Sequence, residues 1–235
     1  MRLVAIHQPN FFPWLGYFDK WARSHRFVLL DNVQFEKSGH GSWVNRVRLQ
    51  VGGKPYWVTA PVVRSFSGTR LIQEMELDAT QKWRERTLRG LELHYARAPF
   101  FREVIEVVRP LVAFPSNRLV EYNLNALREL GARVGLPEDR LVLASSLPVR
   151  GAATERLVGL VQDVGGEAYM SGFLAARTYQ DPAVFERAGI RLVMQDFVHP
   201  TYPQYGAAEF VPGLSLLDAL MNCGFEGTAR LLGTR

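Results

Sequence analysis

His7, Lys20 and Asp31 are the side chains best suited to chemistry in the first stretch of this chain, and all three lie close to short apolar runs. Leu3-Val4-Ala5-Ile6 delivers His7-Gln8-Pro9-Asn10, with Asp19-Lys20 a short helix further on. Phe27-Val28-Leu29-Leu30 delivers Asp31, Gln34 and Lys37. A histidine ending a buried strand can donate to a phosphate or act as general acid or base, or it can simply be satisfied by carbonyls. A lysine ammonium offers a compact anion partner with a tunable pKa, which a guanidinium does not. Of 28 basic residues only Lys20, Lys37, Lys54 and Lys82 are lysine, and two of the four fall here. Asp31 can orient His7, accept a sugar hydroxyl, assist magnesium, or cap the turn that follows it.

Further polar groups recur where apolar runs end. Asn45 and Arg46 follow the Asp31 segment, and Arg46 suits a bidentate clamp on phosphate or carboxylate. Tyr169-Met170-Ser171-Gly172, with Arg177 and Tyr179 beyond, ends a later run in a small polar loop that could cradle phosphate. Ser145-Ser146 and Thr154 with Arg156 stand upstream of it. His199-Pro200-Thr201-Tyr202-Pro203-Gln204-Tyr205 combines aromatic and polar groups suited to a sugar or nucleobase, or to a rigid plug. Gly16, between Pro13 and a helix, allows close backbone approach where free N–H groups favour an anion.

Several chemistries are excluded or disfavoured. The chain has no GxSxG elbow, no HExxH helix, no Walker loop and no dinucleotide fingerprint. Cys223 is the only cysteine, so an internal disulfide and a cysteine-rich zinc site are ruled out. Five dispersed histidines give no paired metal-ligand spacing. The net charge of +5 is spread among acids rather than gathered in a basic stripe, which disfavours nucleic acid and suits a small anionic substrate. At 47% hydrophobic and 22% charged residues, the composition is that of an ordinary globular protein, and no apolar run approaches a membrane span.

The elements that must position these groups follow from periodicity. Leu3–Ile6, Phe27–Leu30, Arg140–Leu143, Ala168–Met170 and Ile190–Met194 read as strands separated by helices, which predicts a mainly parallel α/β sheet with right-handed crossovers. Gly52-Gly53 between Trp43–Leu49 and Tyr56–Val62 predicts a β-hairpin. Apolar residues at three-to-four spacing from Trp83 to Leu130 predict three consecutive helices, a helical insertion at about 80–136 within a single domain spanning 1–235. A final helix is expected over Ser215–Asn222, with a polar tail. In open α/β sheets ligands bind outside the carboxyl ends of the strands, where the polar clusters fall.

At this level of detail the chain resembles the WbqC-like family. The resemblance is carried by His7-Gln8-Pro9-Asn10 with Pro13-Trp14-Leu15-Gly16-Tyr17 and Lys20, then Leu30-Asp31 with Val33-Gln34-Phe35 and Lys37. It continues through Asn45-Arg46, Trp57 with Thr59 and Pro61, Tyr169 with Ser171-Gly172 and Tyr179, Tyr202 with Gln204, and Ser215 with Leu217-Asp218. The Ser38–Ser42 stretch departs from the pattern, being longer and less basic. Family members stand in gene clusters for O-antigen and other surface polysaccharides, and glycine transfer is a role suggested for some. The resemblance therefore implies a cytoplasmic transferase moving an acyl or aminoacyl group to an amino sugar or related small molecule. A more distant likeness to pantothenate synthetases, of the HIGH-motif nucleotidyltransferase superfamily, rests on the strand–loop–helix start and on Met170-Ser171. The paired-histidine motif itself is missing, so that likeness is one of fold.

These readings set the expectations. His7, Lys20 and Asp31 form the catalytic group. Gln8, Asn10, Gly16, Gln34, Lys37, Asn45, Arg46, Tyr169, Ser171, Gly172, Tyr179, Tyr202 and Gln204 form the substrate-binding group, and no metal is held by the protein itself. The partner is an anionic small molecule (nucleotide, sugar nucleotide or amino acid), with ATP or another nucleotide and its magnesium as the cofactor to look for. A homodimer is the assembly allowed for, without membrane contact. The alternatives are a nucleotidyltransferase or ATP-dependent ligase, and a non-catalytic binding protein in a biosynthetic complex.

Overall fold

The structure, a computed structural model, describes residues 1–36, 42–148, 151–172 and 181–234. Lys37, Arg177 and Tyr179 lie outside the described residues. The strands are β1 (Leu3–His7), β2 (Arg26–Leu29), β3 (Arg46–Val51), β4 (Lys54–Thr59), β5 (Leu141–Leu143), β6 (Ala168–Ser171) and β7 (Arg191–Met194). The helices are α1 (Leu15–Arg23), α2 (Trp83–Tyr95), α3 (Phe101–Val112), α4 (Leu119–Arg133), α5 (Ala153–Asp163), α6 (Pro182–Arg187) and α7 (Leu216–Leu231).

Five strands pair in parallel in the order β5-β2-β1-β6-β7. The alternation of side chains along each strand divides the interior into two cores. Ala5, Phe27, Leu29 and Met170 face one layer, built from α1, the three insertion helices and α7. Val4, Ile6, Val28 and Tyr169 face the other, built from α5 and α6. Strands buried on both faces read as continuous apolar runs, which is why they stand out in the sequence. The α/β, mainly parallel architecture is as expected from the sequence.

β3 and β4 form a separate two-stranded antiparallel ribbon. Gly52 and Gly53 both carry positive φ, 56° and 76°, as a two-residue turn of the mirror-image type requires. That turn fixes the register, setting Arg46 opposite Thr59 and Arg48 opposite Trp57. The hairpin is shorter than the sequence suggests, because Trp43 and Val44 serve as connections to the loop after β1. Phe11 N donates to Trp43 O (3.0 Å). The Asn123 side-chain amide on α4 donates to both Pro9 O and Val44 O (2.7 Å each).

α7 runs nine residues beyond the Asn222 end expected for it, with a break at Gly224, whose φ of 69° no helix interior has. Its N-terminus is a joint for the whole site region. The Ser215 hydroxyl donates to Phe12 O (2.6 Å) and accepts from Leu217 N, while Leu216 N donates to Pro13 O. Phe12 is held there at φ 40°, a strained value for a buried aromatic residue, on the loop joining β1 to α1.

Candidate functional site

In the parallel sheet, the chain leaves β1 toward β2 on one side and leaves β6 toward β7 on the other. The strand order therefore reverses between β1 and β6, which makes their carboxyl ends the topological switch point. His7 ends β1 and Ser171 ends β6. α1 then brings Lys20 across the gap: a Cβ built on Gly172 would stand 3.4 Å from the Lys20 Nζ. The sequence places His7, Lys20, Ser171 and Gly172 in separate segments, and the topology brings them to one edge.

Lys20 is 6% exposed, and among the described residues no carboxylate lies within ion-pair distance of its ammonium. Asp19 is turned away: its Oδ2 accepts from the Gln195 amide (2.8 Å) and faces Arg23. Burial lowers the Lys20 pKa to about 8, against a small opposing pull from the Asp19 charge. His7 is pushed down to about 3, first by burial and second by the Lys20 charge. Its imidazole is therefore neutral near pH 7, with Nδ1 3.3 Å from Gln8 O. Lys20, rather than His7, has a proton that can move near neutral pH.

Aromatic rings extend from His7 outward. His7 lies edge-on to Trp14 (5.6 Å) and beside Tyr17 (4.8 Å). Trp14 meets Trp43 (5.2 Å), and Trp43 meets Trp57 (4.9 Å). The Arg46 guanidinium caps this file 4.1 Å above the Trp57 ring, and Arg48 lies over both Trp43 and Trp57. Neither arginine has a carboxylate partner among the described residues, and the Nε of each is buried without an acceptor. Arg48 does donate to Gly213 O (3.2 Å). Asn10, 1% exposed in the loop after β1, has no partner among the described residues for either polar atom of its amide. Such groups are costly to bury unless something else satisfies them.

The remaining candidates divide by what already occupies them. Asp31 accepts from Ser145 twice, Oδ1 from the backbone N–H (2.9 Å) and Oδ2 from the hydroxyl (2.6 Å), joining the ends of β2 and β5. The Asn45 amide donates to Ala60 O (2.9 Å). The Tyr202 hydroxyl and Gln204 amide both donate to Asp218 Oδ2, at 2.8 and 2.9 Å, and the Tyr95 hydroxyl donates to Asp218 Oδ1 (2.7 Å). Tyr169 stacks on Phe185 on the sheet face away from α1. Gly16 packs where a Cβ would collide with Trp14 and Phe197, and its carbonyl accepts from Gln195. Gln8 accepts the Tyr17 hydroxyl on its carbonyl, and Gln34 is exposed.

Trp43, Arg48 and Gln195 are not among the residues singled out from the sequence, and Asp218 is read there only as part of the family motif, without a role. For Arg48 a signal exists: a two-residue turn at 52–53 sets residue 48 opposite residue 57. For Gln195 and Asp218, which act across 170 residues or more in contacts such as Gln195 to Asp19 and 123 in Asp218 to Tyr95, spacing carries none. A cavity of about 660 Å³ lies apart from the strand ends, between the hairpin and α2. Among the described residues no group of three His, Cys, Asp or Glu side chains could hold a metal ion, and no helix is long and apolar enough to cross a membrane.

Fold and site together define an open parallel α/β protein with a cation buried at its switch point. The chain belongs to the WbqC-like protein family, which matches residues 8–230. It is also similar to the uncharacterized protein Rv1507c of Mycobacterium tuberculosis, with 32% identity over 228 residues, 96% of each chain. No solved structure matches it.

Proposed function

We propose that this protein is a transferase of surface-polysaccharide biosynthesis that binds an anionic, nucleotide-containing donor at the β1/β6 switch point and passes an acyl or aminoacyl group to an amine. The observation that carries this reading is Lys20, a buried lysine with no ion-pair partner among the described residues, set against the Ser171-Gly172 end of β6. A phosphate there supplies the missing charge, and the backbone leaving β6 supplies further polar contact. Neutral His7 acts as a hydrogen-bonding partner, and the Asn10 amide satisfies itself on the ligand. The Trp14–Trp43–Trp57 file gives a base or sugar ring a surface to stack on, with Arg46 and Arg48 balancing a second anionic group. In the transfer, the amine forms a bond to the acyl carbon, the acyl–phosphate bond breaks, the amine proton passes to the departing phosphate or to water, and the Lys20 ammonium stabilises the charge left on that phosphate.

The family supports the pathway, since the WbqC-like resemblance points to surface polysaccharides, with glycine as one aminoacyl group to test. Asp31, which the sequence offers as an aid to magnesium, has both oxygens on Ser145. Nucleotidyl transfer is a second reading, favoured by the strand order, which is that of nucleotide-binding sheets.

Calorimetric titration with AMP, UDP and UDP-N-acetylglucosamine tests the site. At least one should bind, Lys20→Met should weaken it by about tenfold or more, and affinity should fall as pH rises through about 8, where Lys20 loses its proton. No binding by any of them, or binding indifferent to Lys20→Met, overturns the reading. Pyrophosphate release from ATP with glycine, without transfer to an amine, would select the nucleotidyl alternative.

A further inference from the structure

We infer that the cavity between the hairpin and α2 is a second binding site, for a neutral pyranose sugar. The argument begins with Gly90, in the interior of α2 and on the cavity lining. A glycine in mid-helix is unfavourable compared with alanine, and is kept when something must approach the backbone. Among the described residues no atom outside its own helix lies within 4 Å of where a Gly90 Cβ would stand. Packing therefore gives no reason for this glycine, whereas an open floor for a ligand does.

The walls fit the same ligand. Tyr56 is 60% exposed and Trp57 38% exposed, large rings left at the rim of a concave site. The Trp83 indole, almost wholly buried, also lines the cavity, and its Nε1–H has no acceptor among the described residues. Thr87 and His94 add hydroxyl and imidazole groups one and three helical turns along from Trp83. A volume of about 660 Å³ is that of a small-molecule site. No aspartate or glutamate lines it among the described residues, while Arg86 does. That charge pattern accepts a neutral or N-acetylated pyranose and disfavours a protonated amino sugar. Aromatic faces with a few hydrogen-bonding groups match the mixed apolar and hydroxyl surface of a sugar ring.

Trp57 lines this cavity and also ends the ring file that starts at His7, so the two sites share a wall. The role of the bound sugar, a neutral unit of the acceptor adjoining the reacting amine, rests on the transfer reading above; its binding does not.

Saturation-transfer NMR and tryptophan fluorescence with methyl α-D-glucopyranoside, N-acetylglucosamine, glucosamine and adenosine test it. The first two should bind wild-type protein, with glucosamine weaker. Gly90→Leu should weaken them by about tenfold or more while the melting temperature stays level or rises. Tyr56→Ala, at an exposed position, should weaken them similarly and serves if Gly90→Leu fails to fold. No pyranoside binding, binding unaffected by both variants, or tighter binding of adenosine would overturn the inference. If pyranosides fail while nucleotide binding still depends on Lys20, the groove alone is wrong; if nucleotides fail while pyranosides bind, the switch-point reading alone is wrong.

Discussion

Asp218 and Lys20 are both buried charged residues, 1% and 6% exposed, and their surroundings are opposites. Around Asp218, two tyrosine hydroxyls and the Gln204 amide converge on the carboxylate, and the Tyr95 hydroxyl itself accepts from Gln50 N (2.9 Å). Around Lys20 no carboxylate lies within ion-pair distance among the described residues, and its neighbours are a neutral histidine and the Gly172 end of β6. A satisfied network rigidifies a core, as the Asp218 cluster does by tying the 202–204 loop, α2 and β3 to α7. An unsatisfied cation lowers stability, and its retention argues for a ligand. The family motif contains both kinds of residue, and only the hydrogen-bond partners tell them apart.

The largest expected effect tests the satisfied side. Asp218→Ala leaves Tyr95, Tyr202 and Gln204 without their common acceptor and should destabilise the fold by about 3–5 kcal/mol, within the range for breaking a buried charged network. Denaturant titration measures it, and a loss below 1 kcal/mol would mean that the cluster does not hold the C-terminal loop. Tyr202→Phe should cost less, on the order of 1–2 kcal/mol, because two donors remain.

The second effect is one of pH. His7 has a pKa near 3 in the folded protein against 6.5 unfolded, so between those values the unfolded chain binds a proton that the folded chain refuses. Stability from this group is complete above pH 6.5 and falls with pH down to about 3. His7→Phe keeps a ring among Trp14 and Tyr17 but removes that titration. The stability difference between pH 7 and pH 4 should then shrink by on the order of 3 kcal/mol, read from urea titrations at the two pH values. An unchanged difference would place His7 in water, contrary to its ring contacts.

Lys20→Met comes next, and the titration it removes has the same sign as that of His7 in a higher pH window. The lysine pKa falls from 10.5 to about 8 on folding, so the neutral form is favoured in the folded state. Its stability contribution is highest above pH 10.5, declines as pH falls from there to about 8, and at pH 7 holding the charge costs on the order of 3 kcal/mol. Replacing it with an apolar side chain of similar reach should raise the melting temperature while nucleotide affinity is lost. A stabilised protein that no longer binds is the signature of a functional cation, and a destabilised one would assign Lys20 to structure.

How much of this could be read from the sequence depends on distance along the chain. β1, β2 and β6 are legible because burial on both faces makes them apolar runs, β5 and β7 are short apolar runs at the less buried edges of the sheet, and the hairpin is legible because Gly52-Gly53 admits one turn type. Lys20 stood out as one of four lysines, though its isolation from Asp19 depends on Gln195. Tyr202 and Gln204 flank Pro203 and Asn45 precedes an arginine, polar settings shared by ligand contacts and internal clamps. Their hydrogen-bond partners, Ala60 and Asp218, lie 14 to 16 residues away in sequence and only folding shows them. The reach of α7 to Leu231 was hidden by Gly224, which reads as a stop and acts as a kink.

The smallest effect concerns the edge of the comparison, where Arg46 stands half-buried on Trp57 with its Nε unsatisfied. Stacking of a guanidinium on indole contributes about 0.5–1 kcal/mol at such sites, so Arg46→Leu should change stability by less than about 1 kcal/mol. If the arginine is there only to cover Trp57, leucine does so nearly as well and nucleotide affinity stays as it was. If its free N–H groups receive a second anionic group of the donor, affinity for UDP-N-acetylglucosamine should fall severalfold more than affinity for AMP, because only the former carries two phosphates. Arg46→Lys separates charge from shape: a compact ammonium restores part of the attraction but not the planar stack. A uniform loss across both ligands would return Arg46 to the structural side, with Asp218.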